Sequence, residues 1–290
     1  MTGFDHFGQV SAAGLTNGAI FALIALGFSL VFSVNGFLNL AQGEFVTLSG
    51  LSTVVMTATY HIALPVAAVV AIVLSMLLGA LFERLALSPG RRISADTALI
   101  VTLGGAFFFH GADMVIFGKD ALSLPAFSGE APILLGGIAI STQSLWIAGT
   151  LIIATAALWC FFRFTFVGKA MLACAQSPTG ARLVGIDLAQ ISTLTYAASS
   201  GLGALAGVVV APLTFVSANG GLAFGIEGFI AALLGGIGSF TGAVLGGLIL
   251  GLGQAFAAGY LSSQFKEALT FAALLIVLLI RPSGLFAGRR

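Results

Sequence analysis

Charge is what this sequence has least of. Only 7% of its 290 residues are Asp, Glu, Lys or Arg, against about 25% in soluble domains. The deficit runs the whole length, which excludes an attached soluble domain such as a fused ATPase, a kinase or a DNA-binding module. Eleven basic and ten acidic residues leave a formal charge of +1, so no nucleic-acid partner is expected. The two cysteines, Cys160 and Cys174, have no metal-ligand spacing. Both read as free thiols, and neither a disulfide framework nor a metal site is expected. Three Tyr and two Trp make a thin interfacial belt. Residues 1–14 carry Asp5 and no Lys or Arg. Without an apolar core before a small-residue cleavage site, they are expected to insert with the first spanning helix rather than act as a cleaved leader. No phosphate-binding G-x-x-x-x-G-K-[ST] loop occurs. Gly118-Lys119 and Gly168-Lys169 both lack the upstream glycine and the following hydroxyl residue.

Apolar side chains are abundant, at 59% of the chain, with a mean hydropathy of +1.12. Stretches long enough to span a bilayer, roughly 20 residues, lie near 12–34, 44–62, 64–83, 96–118 and 143–163, then 190–212, 226–238, 240–260 and 264–281. The expected fold is therefore an all-α integral membrane protein of eight or nine spans in a single domain, 1–290, with 226–238 short for a full crossing. Basic residues gather at Arg84, Arg91 and Arg92, at Arg163, Lys169 and Arg182, and at Arg281, Arg289 and Arg290. The positive-inside rule makes these segments cytoplasmic, with the amino terminus outside and the carboxyl terminus inside.

The 39 glycines do two things. Gly238, Gly242 and Gly246 recur every four residues, as do Gly247 and Gly251, the spacing that lets helix backbones approach closely. Asn35-Gly36-Phe-Leu-Asn39-Leu-Ala-Gln42-Gly43-Glu44 instead interrupts two apolar runs. Irregular backbone at membrane depth needs protein or a watery cavity to satisfy it. A carboxylate there costs about 2.5–3.5 kcal/mol on insertion scales, so Glu44 requires a reason. A similar phrase returns at Asn219-Gly220-Gly-Leu222-Ala-Phe-Gly-Ile-Glu227-Gly228-Phe229, with the polarity of an inverted repeat. His110 and Asp113 are three positions apart on one helix face and are expected to pair locally, the alternative being a proton relay. His6 and His61 show no ligand geometry.

Three segments resemble the permeases of branched-chain amino acid ABC importers, specifically the LivH-type subunit. They are Asn17 to Val31 running into Leu38-Asn39-Leu-Ala-Gln42-Gly43-Glu44; Gly168-Lys169 to Gly185-Ile186; and Gly235-Gly-Ile-Gly238-Ser239 to Arg281-Pro282-Ser283-Gly284-Leu285. The resemblance implies half of a bacterial inner-membrane assembly. Its other parts would be a second related permease, two ATP-binding subunits that carry the ATP and Mg, and an extracytoplasmic solute-binding protein. No cofactor is expected in this chain, and no catalytic residue. In the loop from about 168 to 187, Ser177-Pro178 reads as a helix start and Gly185 as its stop. The short helix would present Arg182, Leu183 and Val184, with Lys169 nearby, to an ATPase; a solvated loop is the alternative. For Asn39, Gln42, Gly43, Glu44 and, more weakly, Glu227, two readings stand: they line the substrate path, or they hold the helix breaks. The implied substrate is a branched-chain or other small neutral amino acid, with urea, short amides or small aromatic acids as family alternatives. An ion-coupled secondary transporter of a small polar solute is the competing class.

Overall fold

A computed structural model describes residues 3–88, 94–129, 131–135, 137–281 and 284–286. Arg91, Arg92, Pro282, Ser283, Arg289 and Arg290 lie outside the described residues. Eleven α-helices follow in order: α1 (Gly3–Asn35), α2 (Gln42–Ala58), α3 (Leu64–Phe82), α4 (Ala95–Phe117), α5 (Thr142–Phe164), α6 (Phe166–Gln176), α7 (Pro178–Leu183), α8 (Leu188–Val210), α9 (Gly220–Gly235), α10 (Phe240–Tyr260) and α11 (Phe265–Ile280). A π-helical turn, Glu83–Leu87, extends α3. Six of these helices, α1, α3, α4, α5, α8 and α10, are long and apolar enough to cross a membrane, and α9 is a shorter apolar one. All nine expected spans correspond to helices. The one sheet among the described residues is a hairpin of Ile133–Leu135 on Ile138–Ile140, tied to α1 where Gln9 and Ala139 exchange hydrogen bonds of 2.9 and 3.0 Å.

The helices that start at the two faces mostly start on a capping side chain. Ser94, Ser141, Thr165, Ser177, Asp187 and Ser239 each accept a bond from a backbone N–H in the first turn of α4, α5, α6, α7, α8 and α10. No side chain caps α2, after Ala41, or α9, after Asn219.

Four of the five expected packing glycines form backbone seams, and one does not. A Cβ on Gly242 would lie 2.3 Å from the Gly235 carbonyl oxygen, and one on Gly246 2.2 Å from that of Ala231, so α9 and α10 touch through their backbones. Gly247 and Gly251 bring α10 equally close to α1 at Ala22 and Gly18. Gly238 stands outside α10, in the preceding turn, at φ +86°. Its place in the four-residue series is set by the turn, which needs a left-handed residue, and not by helix packing.

The packing repeats itself. Helix α1 lies on α10 and α9 as α8 lies on α3 and α2, while α1 meets α8 and α2 meets α9. Gly14, Gly18 and Gly247 make α1 antiparallel to α10, and Gly79 and Gly201 make α3 antiparallel to α8. Continued through the other contacts, these directions make α1 and α8 run opposite ways, the relation of an inverted repeat. One face of the bundle collects Arg84, Arg163, Lys169, Arg182 and Arg281 among the described residues. The other holds the amino terminus, the hairpin and Lys119.

Candidate functional site

Between Asn35 and Gln42 the chain turns back into the bundle. Gly36 takes φ +76°, a left-handed conformation that favours glycine. Asn39 is fully buried, and its Oδ1 accepts from the Ala41 N–H at 3.2 Å. The Gln42 amide donates to the Ser199 carbonyl at 2.9 Å and accepts from the Ser199 hydroxyl at 2.8 Å. That hydroxyl also reaches the Gly27 carbonyl at 2.9 Å. Ser199 is the midpoint of α8, so α2 begins deep inside the bundle, stapled to α1 and α8. The bonds of Asn39 and Gln42 hold the break.

Helix α9 starts against it. A Cβ on Gly43 would lie 2.0 Å from the Gly221 carbonyl oxygen, and one on Gly221 would lie 2.3 Å from Glu44 Oε2. The two glycines of the echoed phrases are therefore where α2 and α9 touch, amino terminus against amino terminus. Both ends carry unsatisfied N–H groups and the positive ends of helix dipoles. Glu44, 4% exposed, sits in the field of both, although no hydrogen bond is made to its Oε2.

A second carboxyl group shares this pocket of polarity. Asp113 of α4, fully buried, accepts from the Thr47 hydroxyl through Oδ2 at 3.3 Å, while its Oδ1 has no partner. Thr47 also donates to the Glu44 carbonyl at 3.0 Å. Asp113 thus reaches α2 one turn beyond Glu44, and each carboxyl group keeps one buried oxygen without a partner. The expected local pair of His110 and Asp113 is not what forms. His110 bonds the Ala218 carbonyl at 3.0 Å, and Asp113 accepts from Thr47 of α2, so each takes its partner from another segment of the chain. Among the described residues the one ion pair is Lys266–Glu227, at 3.4 Å.

Glu227 departs from expectation. Helix α9 runs unbroken from Gly220, so Glu227 lies two turns inside it rather than in a break. Its carboxylate faces Lys266 of α11 and the Gln254 amide of α10, a cross-link between three helices.

On the basic face, Ser177 caps α7 through its Oγ at 3.1 Å from the Gly180 N–H, Pro178 occupies the first turn, and Gly185 follows at φ +85°. Arg182 is exposed, while Leu183 and Val184 are 84% and 76% exposed. Two large aliphatic side chains thus stand out on a short, capped helix. Lys169 lies on the preceding helix α6, exposed.

Residues 11–278 match the family described as branched-chain amino acid transport system / permease component. The chain belongs to this family. It is 33% identical to the high-affinity branched-chain amino acid transport system permease protein LivH of Escherichia coli (strain K12), over 97% of this chain and 96% of that protein. It is 31% identical to the permease protein BraD of Pseudomonas aeruginosa, over 97% and 95%. Among solved structures, PsaBC from Streptococcus pneumoniae in complex with Fab is similar at 16% identity and a TM-score of 0.49, covering 97% of this chain and 92% of that one. The permease is thus a transport subunit of a multi-pass membrane family rather than an enzyme.

Hydropathy carries no signal for the reach of Asp113 to α2 one turn beyond Glu44, nor for Lys266 as the partner of Glu227. The one cue was rarity: each is an ionisable residue within or beside an apolar run.

Proposed function

We propose that this chain is one permease subunit of an ATP-driven importer in a bacterial inner membrane, with its basic face in the cytoplasm. A second related permease completes the transmembrane part, two separate subunits bind ATP and Mg, and an extracytoplasmic protein delivers the substrate. The substrate is a branched-chain or other small neutral amino acid, a choice supported by the names of the relatives, LivH and BraD.

The observation that carries this reading is the junction of α2 and α9 at Gly43, Glu44 and Gly221. Two helices beginning inside a bundle offer positive ends suited to a carboxylate group. Glu44 and Asp113 offer negative charge suited to an ammonium group. A zwitterion needs both. Opening the contact between α2 and α9 would expose them, with Gly43 and Gly221 letting the helices close again. Asn39 and Gln42 keep the break in place while this happens. Drive enters at α7: Leu183 and Val184 fit an apolar groove on an ATPase, with Ser177, Pro178 and Gly185 fixing the helix and Arg182 and Lys169 setting the charge around it.

The test is ATP-dependent uptake of labelled leucine by the reconstituted complex carrying Glu44→Gln. Uptake should fall at least tenfold with the complex still assembled; unchanged uptake would remove Glu44 from the path. The pair of buried carboxyls within an inverted repeat also favours a second reading, an ion-coupled carrier. Uptake driven by a proton or sodium gradient without ATP would establish that instead.

A further inference from the structure

A cavity of about 590 Å³ opens on the basic face, apart from the junction of α2 and α9. It lies between the end of α1, the π-helical turn, and helices α7 and α8. Leu87 of its lining belongs to a buried cluster with Val31, Ala98 and Tyr196. Asn35 and Phe37, at the start of the break, also line the cavity. The cavity thus joins the inner end of the break to α7 and α8. Its size is within the range of small-molecule pockets, about 300–1,000 Å³.

The lining is chemically specific. Glu83, buried in the π-helical turn, contributes a carboxyl group positioned by the Thr193 hydroxyl. Arg182 of α7 contributes a guanidinium. No ion pair joins the two, and both line the cavity. Asp187 is engaged as the cap of α8, donating nothing and accepting from Ala189 N at 2.9 Å. Val34, Phe37 and Leu87 supply an apolar wall, and the buried Asn35 Nδ2 at the edge has no partner.

We propose that this cavity is an inner-face site for a small zwitterion with an apolar side chain. Arg182 takes the carboxylate, Glu83 the ammonium group, and the wall of Val34, Phe37 and Leu87 the side chain. A ligand held this way ties α7 to α3, and so slows the movement of the segment through which ATP hydrolysis acts. This last consequence rests on the proposed importer role, whereas binding does not. Occupancy and ATP turnover would then be linked, each opposing the other.

The experiment uses the purified complex in nanodiscs without the solute-binding protein, and measures equilibrium binding of labelled leucine. Saturable binding is expected, weakened at least tenfold by Glu83→Gln and abolished by Ser192→Leu, which fills the cavity. Isocaproate, lacking the ammonium group, and isoamylamine, lacking the carboxylate, should each compete at least tenfold more weakly than leucine. Absent binding, or binding unaltered in both variants, overturns the site; so does a loss in Glu44→Gln as large as in Glu83→Gln, which assigns the ligand to the path. Glu83→Gln is nearly isosteric and keeps the test open should Ser192→Leu not fold. In the same nanodiscs, leucine should reduce ATP hydrolysis in the wild type and not in Glu83→Gln. Failure of ATP-driven uptake altogether would strike the importer role while leaving the binding result standing.

Discussion

Thr47, one turn beyond Glu44 on α2, donates both to the Glu44 backbone carbonyl and to the carboxyl group of Asp113, 66 positions away. Each carboxyl group also keeps one buried oxygen without a partner, so changing either alters the polar surroundings that the two share through Thr47. Glu44→Gln and Asp113→Asn should therefore be non-additive. In thermal unfolding of the detergent-purified protein, the double variant should differ from the sum of the singles by about 1 kcal/mol or more. Strict additivity would mean that the two groups do not interact. Gly43 permits the junction for a steric reason that a methyl group tests. Gly43→Ala drives a carbon into the Gly221 carbonyl and should destabilise by about 1–3 kcal/mol. Gly104→Ala, where a Cβ meets open space on a helix, should be neutral or stabilising by about 0.5–1 kcal/mol. Equal effects in the same unfolding assay would contradict the close contact.

Helix-scale features were legible in the sequence where composition alone decides them. Nine apolar runs became helices because burying or lipid-embedding such stretches without helical bonding leaves backbone groups unsatisfied. Ser177, Pro178 and Gly185 announced α7 because capping is chemistry between near neighbours. Helix α6 was not announced: its eleven residues mix buried Met171 and Cys174 with exposed Lys169, and the run reads as a polar loop. The start of α9 at Gly220 was hidden by Gly220, Gly221, Gly225 and Gly228, which weaken a helix in isolation and here permit contact with α2 and α1. The junction itself was half visible. The sequence echo pointed to both phrases, but no local pattern states that they touch. Helix α7 yields two expectations. Ser177→Ala removes a cap worth about 1 kcal/mol and should loosen the helix, seen as faster amide exchange at Gly180. Leu183→Asp puts a charge on an 84% exposed apolar residue, and should abolish co-purification of the ATP-binding subunits while leaving the permease monodisperse. Retained co-purification would remove α7 from the contact.

For the molecule as a whole, five of the seven described basic residues collect on one face, and the hairpin and the start of α1 lie on the other. Cysteines introduced at Thr179 and at Ser128 should therefore label from opposite sides of sealed cells, Ser128 from outside. Labelling of Thr179 from outside would invert the topology. The family assignment makes the chain a transport permease, and the inverted packing of α1–α3 against α8–α10 and the exposed α7 support the proposal that it provides a route and receives its drive from elsewhere. That claim is tested most directly by leucine accumulation in proteoliposomes holding either this chain alone or the assembled complex with its binding protein. The complex should concentrate leucine only with ATP, and the chain alone should concentrate none under any gradient. Accumulation by the isolated chain, powered by protons or sodium, would contradict the account.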